Sequence, residues 1–319
     1  MRPARLEDIF ETPWPAPEVK KYLARLEPYV VGPATSSCQG GRLGDLVGQA
    51  AGVDEVEAAR LIEFGSVWLD DRPCFDPDEP LARHSNFRIN PPAYGPVRFY
   101  EAADRRIVFE DEDILVYDKE AGRPSQGVPH DAHNNVLAAL GRLLRARGEA
   151  CDLRLPHRLD ADTSGLLLLA KNRESAAALG QSFQRGQVKK EYLCLSRGTK
   201  VPDGDFSVET YIAKEGRRYV NRAQGAGLQA RTGFSLLAAE GRAGDEPAGI
   251  LFLASPQTGR THQIRLHLQW AGWPIMGDRL YGGYFPSPRL MLMASRLVFS
   301  HPRTGAEVRV SLEAADLKF

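Results

Sequence analysis

Leu43, Leu46, Val47 and Ala50 recur at intervals of three and four, the spacing of one helix face. Val56, Ala59, Leu61 and Ile62 form a second such face, which Gly65 stops. Ser66–Leu69 then reads as a strand, Asp70-Asp71 as a turn and Phe87–Asn90 as a returning strand, closed off by Pro91-Pro92. Two helices and a hairpin make a minimal α/β domain. Upstream, Pro3, Pro13, Pro15, Pro17, Pro28 and Pro33 lead into the small polar stretch Ala34-Thr35-Ser36-Ser37. That pattern predicts an extended arm with one short helix near Glu18–Leu26.

From about Val97 the pattern alternates short strands with helices. Asp113–Asp118 reads as a strand and Asn134–Arg147 as a helix. Leu166–Ala170 is short, apolar on both faces and bounded by Gly165 and Lys171-Asn172, which predicts a central strand. Asn172 can cap a helix from Arg173 to about Arg185, ended by Gly186, and Val188–Leu195 is again a strand. Residues 240–248 form a polar loop between strands at Phe234–Leu237 and Ile250–Ala254. The fold class is therefore α+β, with a mainly antiparallel sheet flanked by helices, because several strand pairs follow one another directly. The predicted organisation is an arm over 1–38, a small domain over 39–96 and a larger one over 97–319, with no internal repeat.

Composition narrows the function classes. In 319 residues, 43% are hydrophobic and 26% charged, close to the globular average. No run approaches the ~18–20 apolar residues of a membrane span, and MRPARLEDIFETPWP lacks the apolar core of a secretory signal. Cys38, Cys74, Cys151 and Cys194 form no CxxC pair, so the expectation is a reducing cytoplasm without a disulfide framework or Cys/His metal site. Net charge is zero, 41 basic against 41 acidic residues. Residues 1–100 carry 11 Lys/Arg against 15 Asp/Glu, however, while 151–200 carry 9 against 5 and 255–310 carry 7 arginines against 2 acids. Two arginine-biased segments in a neutral chain admit an RNA partner without requiring one.

Functional groups are densest in two segments. Pro156-His157-Arg158-Leu159-Asp160-Ala161-Asp162-Thr163-Ser164-Gly165 runs into the central strand, placing a carboxylate, an arginine and two hydroxyls on one tight turn. A plain polar turn with Asp160 and Asp162 bonding nearby amides would read the same way. In Gly259-Arg260-Thr261-His262-Gln263-Ile264-Arg265-Leu266-His267-Leu268, Thr261 as N-cap and Gly272 with Pro274 as stops favour a helix over a strand. Arg265 then lies near its first turn, where free backbone N–H groups could also meet a carboxylate or phosphate. His262 and His267 are five apart, poor spacing for a shared metal. Gly225-Ala226-Gly227 lacks the strand-to-helix context of a dinucleotide site, and Ser164 lacks a nucleophile elbow.

His157-Arg158-Leu159-Asp160 with Thr163-Ser164-Gly165 resembles the HRLDxxTSG motif of the RluA-type pseudouridine synthases. Arg260–Arg265 resembles that family's second motif, about a hundred residues later. Lys190-Glu191-Tyr192 is similar to its lysine-x-tyrosine strand, and Gly277-Asp278 with Tyr281-Gly282 to its GD…YG segment. Ala58–Val67 resembles, more weakly, the S-four-type RNA-binding domain that often precedes this catalytic domain. Two departures stand out. Lys119-Glu120-Ala121-Gly122 replaces lysine-proline-x-glycine, which should alter a loop and not the chemistry. The S-four-like segment is acidic where such domains are usually basic.

The resemblance implies isomerisation of specific uridines to pseudouridine in structured RNA, rRNA or tRNA, by a cytoplasmic monomer. No metal, nucleotide or other cofactor is demanded. It implies Asp160 as the essential carboxylate, Arg265 as its partner, and Tyr192 as the group that stacks under the base and serves the proton step. Arg158 would fill the space of the flipped uridine. His157, Thr163, Arg260, His262 and Gln263 would contact RNA. Two rivals are a catalytically inactive RNA-binding or ribosome-assembly factor on the same fold, and a glycosidase-like hydrolase using Asp160 and Asp162, which would release free uracil.

Overall fold

The computed structural model describes residues 29–31, 42–69, 72–80, 87–90, 100–129, 131–150, 152–216, 218–223, 225–240, 248–282 and 287–312. The predicted arm helix, the Asp70-Asp71 turn, Pro91-Pro92 and the 241–247 part of the polar loop lie outside the described residues. The chain divides into two compact units, one of Met1–Ala102 with Gln126–Leu143 and one of Ala103–Ser125 with Leu144–Phe319.

In the first unit, helices α1 (Leu43–Ala51) and α2 (Glu55–Glu63) accompany a four-stranded antiparallel sheet. Its strands are β1 (Tyr29–Val31), β2 (Val67–Leu69), β3 (Arg72–Pro73) and β4 (Phe87–Ile89), in the order β1-β4-β2-β3. The Asp54 carboxylate caps α2 by accepting the Glu57 N–H at 2.9 Å. The core is Leu43, Val47, Ala58, Leu61, Ile62, Val67 and Ile89. The inward face of α2 is thus Ala58/Leu61/Ile62, and Val56, expected inside, is 62% exposed. Two residues before Ala58, at 3.6 residues per turn, Val56 lies about 200° round the helix from that stripe. The segment from Gln126 joins this unit through the Ala132 N–H to Phe64 carbonyl bond and the Trp68 Nε1–H to Pro129 carbonyl bond. Helix α3 (Val136–Ala146) starts from it, with the Asn135 carboxamide accepting the Ala138 N–H.

The second unit is built on a ten-stranded sheet with the order β10-β9-β11-β12-β8-β13-β7-β6-β5, and β14 beside β13. The strands are β5 (Ile107–Glu110), β6 (Ile114–Lys119), β7 (Ser164–Ala170), β8 (Lys189–Gly198), β9 (Phe206–Glu215), β10 (Arg218–Arg222), β11 (Leu228–Glu240), β12 (Ala248–Pro256), β13 (Leu292–Ser300) and β14 (Glu307–Ser311). All pairs are antiparallel except β13 with β7, which run parallel over Met293–Ala294 and Ser164–Gly165. From Arg296 onward β14 pairs with β13 instead, so the sheet forks there. All seven residues of β7 are buried, as expected of its continuous apolar run. Helix α4 (Arg173–Gln184) follows it, with the Asn172 side chain capping the Ser175 N–H at 2.8 Å. Helix α5 (Gln263–Trp270) carries the second motif, and its residues Gln263–Leu268 are all buried.

Candidate active site

Strand register assembles the floor of the site. Lys119 on β6 is paired with Gly165 on β7, Gly165 with Ala294 on β13, Ala294 with Tyr192 on β8, and Tyr192 with Ala254 on β12. Paired residues share a face, so these five form one lateral row. Tyr192 is the only large side chain between Ala254 and Lys119 in that row. Gly165 is required at the fork: its φ is +100°, and a Cβ there would lie 2.3 Å from the Ala294 carbonyl oxygen.

The Asp160 loop hangs over this row and is pinned from three sides. Ser125 Oγ donates to the Leu159 carbonyl at 2.7 Å and accepts the Leu159 N–H at 3.1 Å. Lys119, wholly buried, donates to the carbonyls of Glu120, Arg123 and Ala161 at 2.9, 2.7 and 2.8 Å. Burial lowers its pKa to about 7 against the opposing charges of Glu120, Asp162, Asp160 and Asp118. Three carbonyl acceptors match the three donors of an ammonium group, whereas an amine could fill only two. The third pin is His157. Its Nε2 accepts the Leu168 N–H at 3.0 Å, and its ring stacks on Phe183 at 4.5 Å. Burial holds its pKa near about 3, so the ring is neutral and remains an acceptor.

Helix α5 supplies the opposite wall. Arg265, in its first turn, forms a two-point bond to Asp278, Nε to Oδ2 at 2.8 Å and an Nη to Oδ1 at 2.7 Å, with both side chains almost fully buried. Asp278 Oδ1 also accepts the Leu280 and Tyr281 N–H groups, each at 3.0 Å. The guanidinium stands 5.2 Å over the Tyr281 ring. Burial works against its charge, but the bonds to Asp278 and the charges of Asp278, Asp160 and Asp162 outweigh it and raise its pKa. His262 precedes the helix in the left-handed region, φ +57°, which costs a non-glycine residue about 1–2 kcal/mol. Its Nδ1 lies 2.8 Å from the Tyr281 hydroxyl and its Nε2 3.9 Å from Asp160 Oδ2. Tyr219 on β10 meets the same ring edge-on at 5.6 Å. Burial, then the Asp160 charge, pushes the Tyr192 hydroxyl well above its ordinary range, so it is a phenol at neutral pH.

Asp160, Tyr192 and Arg265 are therefore brought to one place, with one change in pairing. The Arg265 fork is filled by Asp278, and its charge reaches Asp160 through space. Several residues expected at RNA are instead internal. Thr163 is buried, and its N–H bonds the Asp160 carbonyl at 3.1 Å. Gln263 is buried and bonded to Thr258 Oγ1, the Arg260 N–H, the Arg231 carbonyl and Thr232 Oγ1. His157 is the loop pin just described. His262, not Thr261, occupies the cap position, and both of its nitrogens face the site. Arg158 is exposed, as RNA contact requires, and Arg260 is half-buried with its Nε on the Gln229 carbonyl. Lys119 was legible as a charge ending an apolar strand, but Tyr219 carried no signal in the sequence. Asp111, Asp113 and His301 also cluster, with ligand atoms within 4.8 Å of one another. Arg303 Nε already stands 2.6 Å from Asp113 Oδ2, and His301 Nδ1 accepts the Arg303 and Thr304 N–H groups, so the group fits an ion-paired clasp better than a cation site.

The sequence profile described as RNA pseudouridylate synthase matches residues 113–270, a span holding Asp160, Tyr192 and Arg265. The curated protein "Ribosomal large subunit pseudouridine synthase C" of Pasteurella multocida (strain Pm70) is 36% identical over 219 residues. The chain belongs to the RNA pseudouridylate synthase family. The alignment covers 65% of this chain and 64% of that relative; for the same-named Escherichia coli (strain K12) protein, 36% identical over 217 residues, the shares are 64% and 65%. The chain thus matches less than two thirds of the length of these relatives. Among solved structures, Human RNA Pseudouridylate Synthase Domain Containing 1 aligns at TM-score 0.53 and 27% identity, covering 67% of this chain and 86% of that one. Human RNA Pseudouridylate Synthase Domain Containing 4, at TM-score 0.52 and 22% identity, covers 66% and 88% and shares the fold. Within this family frame, the β7 loop, the Tyr192 strand and α5 are the parts that carry the site.

Proposed function

We propose that the second unit converts uridine to pseudouridine in RNA, and that its substrate is large-subunit ribosomal RNA. The observation that carries the reading is the convergence on Asp160 of Tyr192, the Arg265–Asp278 pair and a loop pinned by Lys119 and His157. The reaction breaks the bond from ribose C1′ to uracil N1 and forms one from C1′ to C5. The C5 proton leaves and N1 gains one, so nothing is oxidised and no phosphoryl group moves. Asp160 is the carboxylate at the reacting centre. Arg265 supplies positive charge beside it without neutralising it directly. Tyr192, as a phenol between two alanines, offers a face for the base to stack on; it can pass on its own proton only as it takes another. A paired uridine must leave its stack to reach this site, and exposed Arg158 is placed on the same loop to enter the gap.

The names of the curated relatives support a ribosomal target, and that target supports a cytoplasmic location. No described helix is long and apolar enough to cross a membrane. We assign the first unit, S-four-like in sequence and net acidic, to orienting a monomeric enzyme on its RNA more than to adding affinity, since acidic surface repels phosphate. The test is nucleoside analysis by mass spectrometry after incubating the protein with transcripts of large-subunit rRNA. The expected product is pseudouridine without free uracil. Free uracil would mean a hydrolase, and bound but unchanged RNA an assembly factor.

A further inference from the structure

His262 is the only described non-glycine residue with a positive φ, and the strain aims its ring. The Tyr219 N–H points to the Tyr281 hydroxyl oxygen at 3.4 Å, and that hydroxyl lies 2.8 Å from His262 Nδ1. The Tyr281 oxygen takes the amide hydrogen, so its own hydrogen is free for Nδ1. The alternative, a proton on Nδ1, would turn the Nε2 lone pair toward the Asp160 carboxylate 3.9 Å away. Electrostatics rejects it. Edge contacts with Tyr219 and Tyr281, at 5.6 and 5.5 Å, keep the ring from flipping.

We infer that the chain Tyr219 N–H, Tyr281 O–H, His262 Nδ1 fixes one neutral tautomer, whose Nε2–H faces Asp160 and makes His262 the positioning residue for that carboxylate. At 3.9 Å the N–H stands short of a hydrogen bond, and a movement of about 1 Å would complete it. The donor would hold the carboxylate's charge and direction as RNA displaces water from the site. The charged or titratable groups facing the ring are Asp160, Arg265, Asp278, Asp162, Tyr281 and Tyr219. Burial lowers the His262 pKa, Asp160 raises it and Arg265 lowers it again, with a net depression that keeps the ring neutral at physiological pH. The role in turnover rests on the isomerase reading above; the tautomer does not.

Two measurements separate them. In full-length protein with 15N-labelled histidine at pH 7.5, the His262 ring should show a protonated Nε2 and an unprotonated, hydrogen-bonded Nδ1. Tyr281→Phe should turn this into a mixture of tautomers. A protonated Nδ1 or a doubly protonated ring in the wild type overturns the inference, whatever the enzyme's activity. For the role, His262→Asn suits a left-handed position and removes the ring's reach. The acid limb of its kcat/KM–pH profile on rRNA should move up by at least about half a pH unit, with KM within about twofold. Tyr281→Phe should move it in the same direction. Superimposed profiles would overturn the positioning role. Wild-type protein that isomerises no RNA would instead sink the functional reading and leave the tautomer to be judged by the nitrogen spectrum.

Discussion

Arg265→Met tests the linkage between stability and chemistry in this site. The substitution keeps an unbranched apolar stem and deletes the fork that holds Asp278. Asp278 is 1% exposed at its side chain, so its carboxylate cannot turn to water. Oδ1 keeps the Leu280 and Tyr281 N–H groups, but Oδ2 loses its donor. Removing one member of a buried pair costs about 3–5 kcal/mol. With a urea slope of about 2–3 kcal/mol per molar, the unfolding midpoint should fall by about 1–2.5 M. Adding Asp278→Asn removes the stranded charge while keeping an acceptor for the two amides. The double variant should then regain at least about half of the lost stability, about 2 kcal/mol. Activity should not return with it, because the positive charge beside Asp160 is still missing, and any residual activity should shift to higher pH. Urea titrations and pH–rate profiles of the three proteins decide the matter. A loss under about 1 kcal/mol for the single variant, or activity recovered together with stability in the double, would refute the reasoning.

Gly165→Ala should destabilise by more than about 3 kcal/mol, because φ is +100° and the new methyl meets the Ala294 backbone; a urea midpoint near wild type would show that β7 and β13 can separate there. Lys119→Met strips the donor from three carbonyls, each worth about 1–3 kcal/mol when left buried and unpaired. It should lower kcat more than RNA affinity; an unchanged kcat would mean that the loop holds Asp160 without it. Acid should loosen the fold through His267, whose nitrogens contact the Thr232 and Thr210 hydroxyls and whose pKa burial lowers to about 4. Below about pH 6.5 the unfolded chain takes up a proton that the folded ring refuses, so this stability is full above that pH and declines toward pH 4. Between pH 7.5 and 5 the loss should be about 2 kcal/mol, and smaller in His267→Gln; equal slopes for the two proteins would refute it.

What could be seen in the sequence was mostly local. Leu166–Ala170 announced β7 because burial on both faces writes an unbroken apolar run, and Asn172 announced α4 because its cap bond spans three residues. The second motif became a helix as its stop signals indicated, yet the left-handed turn at His262 was invisible, since only a small minority of histidines adopt that conformation. The strand order could not be read, because it pairs segments as distant as Ser164 and Met293 through register that no local pattern records. Arg265 and Asp278 were both singled out, but which carboxylate fills the fork depends on how the turn after α5 folds back. Thr163 and Gln263 were expected at RNA through the motif resemblance alone, which does not tell a buried motif residue from an exposed one. Both are buried instead, and the Gln263 carboxamide bonds the Arg260 N–H, the Arg231 carbonyl and the hydroxyls of Thr232 and Thr258. In Lys119-Glu120-Ala121-Gly122 the departure from the family pattern is Glu120, not Lys119, and the β6–β7 register is what puts that lysine beneath Asp160.

The central claim is that the Asp160 carboxylate is indispensable to an isomerisation. Its most direct test is tritium release from rRNA labelled at uracil C5, comparing wild type with Asp160→Asn, which keeps shape and removes charge. The account predicts steady release by the wild type and none detectable by the variant, with RNA affinity changed little because phosphate contacts lie elsewhere. Measurable release by well-purified Asp160→Asn protein would contradict it.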